Sequence, residues 1–99
     1  MDLVKLEQQT EKAAALLKAL ANEKRLLIVC LLVRGEKNVG DLEQQVGLSQ
    51  SALSQHLARL RRDGVVETRR EAQTIYYSIK DPAVKDILEC LCKIYNSMC

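Results

Sequence analysis

The sequence predicts a mainly α-helical domain with one β-hairpin. Three observations carry this expectation. Apolar residues recur at helical spacing from Leu3 to Leu60, the pattern changes to β-branched and aromatic runs between Val65 and Ile79, and helical spacing returns after Asp81. Ninety-nine residues with 47% hydrophobic and 28% charged content fit one folded unit, so residues 1–99 are expected to form a single domain.

The first helix is expected over about Leu3 to Leu20, with Leu3, Leu6, Ala13, Leu16, Leu17 and Leu20 at helical spacings. Asn22 is placed to cap a second helix ending near Gly35. That helix is apolar on all sides from Leu26 to Val33, which predicts burial between other elements. Its eight-residue apolar run is too short to span a bilayer. "GEKN" reads as a loop, and Asn38 as the cap of a short third helix, "VGDLEQQV". Gly47 then supplies the turn between two helices, as in a helix-turn-helix. Ser49 caps the fourth helix, which runs to about Asp63 and stops at Gly64. "VVETRR" and "TIYYSI", separated by "EAQ", form a hairpin with a polar tip. Asp81 and Pro82 open the last helix, with apolar positions from Val84 to Met98.

The fourth helix carries the functional signal. On a wheel of 3.6 residues per turn, Leu53, Leu57 and Leu60 form a core stripe. Ser51, Ser54, Gln55, Ala58 and Arg62 lie opposite, with Gln50 at the exposed start and His56 at the edge of the stripe. A helix needing only a solvated face would use Glu and Lys, the stronger helix formers. Ser and Gln instead present short or planar donors and acceptors suited to base edges. They occupy the N-terminal half, the half that a recognition helix points into the major groove. Residues 49–80 hold six basic and three acidic side chains, a local net charge of +3 within a chain of net +2. The positive field therefore lies where the readers are. Gln50, Ser51, Ser54 and Gln55 are expected to read bases, with His56 and Arg62 supporting. Arg69, Arg70 and Gln73 of the hairpin are expected to meet backbone or minor groove.

From Ala19 to Ile79 the chain resembles the arsenic-repressor (ArsR/SmtB) family of bacterial winged-helix regulators. "LKALANEKRLLIVCLL" and "LSQSALSQHLARLRRDG", with "RREAQTIYYS", carry that resemblance. It implies a winged helix-turn-helix that binds a double-stranded DNA operator, expected to be an inverted repeat. It also implies a homodimer joined through the first and last helices. The apolar faces of Leu6, Leu16 and Leu17 and of Leu88, Leu91 and Tyr95 agree with such a dimer. The start of the chain has no signal-peptide pattern, so the expected compartment is the cytoplasm, with its cysteines reduced and no membrane partner.

The third helix lacks cysteine and the last lacks histidine, so no metal site of the family's usual kinds, and no cofactor, is expected. The resemblance is closer to the sulfide- and redox-responsive branch, the biofilm-growth-repressor and haemolysin-regulator type. Members of that branch carry one cysteine in the second helix and one near the end of the last. Cys30 matches the first, whereas the second position is Asn96 here, flanked by Cys92 and Cys99. On the wheel Cys92 and Cys99 lie about 20° apart and Cys90 about 160° from Cys92. The expected switch is thus Cys30 with Cys92 or Cys99, changing DNA affinity on oxidation or persulfidation, with Cys90 a bystander. The alternatives are a soft-metal or arsenic-type response, cysteines as core filler, and a regulator with no small-molecule sensor. An enzyme is not expected, since the sequence holds no nucleophile motif, phosphate loop or Cys-x-x-Cys pair.

Overall fold

A computed structural model describes residues 2–98. The order is α1 (Leu3–Leu20), α2 (Glu23–Val33), β1 (Lys37–Asn38), α3 (Val39–Val46), α4 (Gln50–Arg62), β2 (Val66–Glu71), β3 (Thr74–Ile79) and α5 (Pro82–Ile94), closed by a 3-10 turn at Asn96–Met98. Each helix begins where a side chain satisfies its orphan amides. Asp2, Asn22, Asn38, Ser49 and Asp81 all accept from backbone N–H groups of the first turn. Between α3 and α4 the chain reverses through Gly47 at φ 72°, a left-handed position that a side chain strains.

The core collects apolar residues from all five helices and the start of the hairpin. Ile28, Val29 and Leu32 of α2 meet Leu42 and Val46 of α3 and Leu53, Leu57 and Leu60 of α4, closed below by Val65, Val66, Val84 and Leu88. Full burial of one such leucine stabilises the fold by about 1.5–3 kcal/mol. The leucine stripe read on α4 therefore sets which face of that helix turns outward.

Several expectations need correction. The hairpin is part of a three-stranded antiparallel sheet in the order β1-β3-β2, because Lys37 and Asn38 pair with Tyr77 and Tyr76. The hairpin loop is two residues, Ala72 and Gln73, since Glu71 and Thr74 still pair; Ala72 takes φ 56° to make the turn. α2 is not enclosed on all sides: Leu27 is exposed, while Leu26, Cys30 and Leu31 are half-buried. Finally, α5 ends at Ile94, and Tyr95 turns extended at φ −120°, ψ 91°. A wheel drawn from Cys92 onward thus no longer places residue 99, which lies outside the described residues.

The molecule measures 49 × 30 × 21 Å. α1 alone is about 27 Å long at 1.5 Å per residue. In that helix only Ala19 and Leu20 are buried, and Leu3, Val4, Leu6 and Leu17 face solvent. Arg25 moors its end. The buried guanidinium donates from Nε to Ala19 O at 2.7 Å and from Nη2 to Lys18 O at 3.2 Å. Both belong to the last turn of the helix, where carbonyls lack their usual i+4 amide partners. Burial, aided by nearby Arg59, pushes the Arg25 pKa below its ordinary value, while Asp63 opposes the shift. Leu88, expected on a dimer face, belongs instead to the core of the protomer.

Candidate nucleic-acid interface

The outward face of α4 is built by its leucines. With Leu53, Leu57 and Leu60 sealed inside, Gln50, Ser51, Ser54, Gln55 and Ala58 are exposed along the opposite side. Among the described residues, the side chains of Gln50, Ser51, Ser54 and Gln55 make no hydrogen bond within the protein, unlike the Ser49 hydroxyl, which caps Ala52 N at 3.2 Å. Their donors and acceptors are thus unspent. His56 is half-buried at the edge of the leucine stripe.

A groove separates α4 from the sheet. One part, about 570 Å3, is lined by Asn38, Gln50, Ser54, Gln73, Thr74 and Ile75. It continues past Ser54 and Tyr77 into a part of about 480 Å3 bordered by Ala58, Arg61 and Arg62. The fold therefore brings Gln50, Ser54, Gln73 and Arg62 to one surface although they are far apart in sequence. Arg61, which the sequence reading did not single out, stands at its rim. At the end of α4, Asp63 lies 3.5 Å from Arg59 Nε and 3.6 Å from Arg62 Nε. Among the described residues, Arg61 has no ion-pair partner, so its charge is the less compensated.

Arg69 and Arg70 are neighbours in sequence but not in space. Successive strand residues point to opposite faces. Arg70 pairs in register with Ile75, a groove residue, and Arg69 with Tyr76. Arg70 lies on the α4 side of the sheet, with its Nε donating to Ala72 O at 3.1 Å. Arg69 lies on the reverse side, where Glu36 and Glu71 receive its N–H groups. Those carboxylates raise its pKa further above the ordinary arginine value.

The cysteines lie elsewhere. Cys30 is free and half-buried, on a cleft of about 320 Å3 with Leu26, Leu27, Leu31, Arg34 and Met98. Burial pushes its thiol pKa up, and Arg34 pulls it partly back. Cys90 is free and exposed, whereas Cys92 is disulfide-bonded. No cluster of three or more His, Cys, Asp or Glu able to hold a metal ion, and no helix long and apolar enough to cross a membrane, occurs among the described residues.

Comparison with known proteins gives a consistent result. Residues 22–68 match the family described as bacterial regulatory protein, arsR family. The transcriptional activator HlyU of Vibrio cholerae is 53% identical over 96% of this chain and 88% of its own length. The biofilm growth-associated repressor of Xylella fastidiosa (strain Temecula1) is 42% identical over 91% of this chain and 79% of its own. The solved structure of reduced HlyU from Vibrio cholerae N16961 superposes with TM-score 0.87 at 53% identity, covering 92% of this chain and 96% of that one. These relatives are regulators rather than enzymes. A helix-turn-helix with an outward Ser/Gln face, a hairpin beside it and relatives of this similarity lead to one conclusion: the chain belongs to the arsR family of bacterial DNA-binding transcriptional regulators.

Proposed function

We propose that the chain is a single winged-helix unit working as a two-fold homodimer on an inverted-repeat operator, where it represses transcription until its thiols are modified. The carrying observation is the unspent hydrogen-bonding capacity of Gln50, Ser51, Ser54 and Gln55 on an exposed helix face. In this reading those four residues meet base edges in the major groove, with His56 and Arg62 supporting them. Arg70 and Gln73 approach backbone or minor groove from the α4 side of the sheet, and Arg69 acts from the reverse side. Dimerisation would cover Leu3, Val4, Leu6 and Leu17 of α1 together with Ile94 and Tyr95 at the end of α5, all exposed in the protomer. It would set two recognition helices roughly 34–36 Å apart, one turn of DNA. The double-stranded operator and the second copy are the partners, and the cytoplasm is the compartment.

The proposed switch joins Cys30 to Cys92 or Cys99, directly or through added sulfur. In the direct case a thiol reductant first supplies two electrons and two protons to open the disulfide of Cys92; Cys30 and its partner then each lose a proton, and a peroxide or disulfide oxidant takes the two electrons. Here Cys30 is free while Cys92 is disulfide-bonded, so the joined state differs from the one described. A bond there would change how α5 packs on α2 and so tilt the recognition helices. That a relative has been described in a reduced state supports a redox reading.

Salt-dependent gel shifts on operator fragments test the interface. Gln55→Ala should alter which duplex is preferred, at a cost of about 1–3 kcal/mol if its contact is bidentate. Arg70→Ala should weaken all duplexes alike and lower the salt slope by about 0.9. Wild-type binding by both variants overturns the assigned face. For the switch, peroxide or persulfide should lower wild-type affinity, and Cys30→Ser should abolish the response while binding normally when reduced. A response that survives Cys30→Ser removes Cys30 from the mechanism.

A further inference from the structure

Arg69 starts on the outermost strand and ends beyond its neighbour. The guanidinium crosses β3 with its carbon 4.4 Å from the centre of the Tyr76 ring. It reaches Glu36, the residue before β1, where Nη2 and Nε donate to the two carboxylate oxygens at 2.7 Å each. The remaining terminal nitrogen donates to Glu71 Oε2 at 2.9 Å. A paired fork of this kind is the arginine geometry most specific in direction. One positive charge is here shared between two carboxylates. A phosphate approaching Arg69 would meet a net negative group, so this arginine is poorly placed to bind DNA itself.

We propose that Glu36, through Arg69, is a positioning residue for operator binding. The pair is a strut that fixes the angle of the hairpin against α4, and neither partner touches DNA. The inference rests on the reading that hairpin and α4 meet the operator together. Asn38, Tyr76 and Arg69 are register partners in one row across the sheet, and Glu36 lies two residues before Asn38, within reach of the Arg69 guanidinium. Exposed ion pairs add little to global stability. The strut therefore acts on orientation, and its loss should be felt in binding far more than in melting.

The test measures operator affinity against salt for wild type, Arg69→Ala, Glu36→Ala, the shape-conserving Glu36→Gln, the exchange Glu36→Arg with Arg69→Glu, and Arg70→Ala. The strut predicts that each single change at 36 or 69 weakens binding by about two- to thirty-fold. It predicts an unchanged salt slope, an almost unchanged melting temperature, and substantial recovery in the exchanged pair. A direct phosphate contact predicts the reverse: Arg69→Ala lowers the slope by about 0.9, Glu36→Ala tightens binding by freeing Arg69, and exchange does not rescue. Either that pattern or wild-type affinity in Glu36→Gln and Glu36→Ala overturns the strut. Loss of binding in Arg70→Ala beside wild-type behaviour at Glu36 condemns the strut alone. If Arg70→Ala also binds like wild type, the hairpin does not meet DNA, and the underlying reading fails with it.

Discussion

Replacing Arg25 by Met keeps most of the buried stem and removes the guanidinium. Two hydrogen bonds to the end of α1 disappear, at Ala19 O and Lys18 O. Their losses are unequal. Lys18 O still accepts the Ala21 N–H at 3.3 Å, whereas Ala19 O has no other donor among the described residues and belongs to a fully buried residue. An orphaned buried carbonyl costs about 1–3 kcal/mol, and a hydrogen bond to a charged group contributes about 1.5–3 kcal/mol. Because Met relieves the cost of burying a charge, the net destabilisation should be about 2–4 kcal/mol. A chain of this length has about 5–15 kcal/mol in total, so the change should lower the melting temperature by about 10–30 °C. Urea unfolding followed by circular dichroism, at fixed protomer concentration, measures it. Arg25→Lys should fall between, since a point charge cannot serve both carbonyls as the fork does. A loss below about 1 kcal/mol in Arg25→Met would show that α1 is held by its leucines alone and would refute the mooring.

Other outcomes follow from single contacts. Asn38→Ala removes the acceptor for Asp41 N at 2.8 Å and should cost about 1 kcal/mol, seen as faster amide exchange at the start of α3. Gly47→Ala meets no atom within 4 Å, so its penalty is the left-handed backbone alone, about 1–2 kcal/mol in urea unfolding; a neutral result would place the strain elsewhere. The Glu36 carboxyl is held below its ordinary pKa of 4.5, chiefly by the hydrogen bonds from Arg69. A depressed carboxyl contributes stability above its unfolded pKa and loses it as pH falls through the folded one. The difference in hairpin amide protection between wild type and Glu36→Gln should thus be flat near neutrality and fade only below pH 4.5. Iodoacetamide at neutral pH should label exposed Cys90 before Cys30, and labelling of Cys30 should keep accelerating past its ordinary pKa of 9.0; equal rates would mean the cleft is open.

Much of the architecture was legible because the signals are local. A cap such as Asn22 or Ser49 followed by periodic leucines announces a helix without reference to the rest of the chain. The α4 face was legible for the same reason, since three leucines determine where Gln55 points. What escaped depends on distant partners. A two-residue strand at Lys37–Asn38 has no period to detect, and it exists only because Tyr76 and Tyr77 pair with it. Arg25 sits in "ANEKR" like any surface charge until α1 folds back over it. The end of α5 has no Gly or Pro to mark it, so the apolar spacing of Tyr95 and Met98 suggested a longer helix than forms. The separation of Arg69 from Arg70 could have been read from strand alternation. Glu36 as the destination of Arg69, thirty-three residues away, could not.

Asn38 belongs to two elements at once: its backbone pairs with Tyr76, and its side chain caps α3. Hairpin and helix-turn-helix are therefore presented as one rigid tool. For a regulator that must find a short site among very many wrong ones, this changes the thermodynamics of the encounter. Had the two parts been hinged, each would surrender its own freedom on docking, and that entropy would be subtracted from affinity twice. Joined at one residue, they surrender it once, largely during folding. On the proposed reading, the complex should then form with a small conformational entropy loss, and the residual penalty should come mainly from long side chains such as Gln55 coming to rest on the operator.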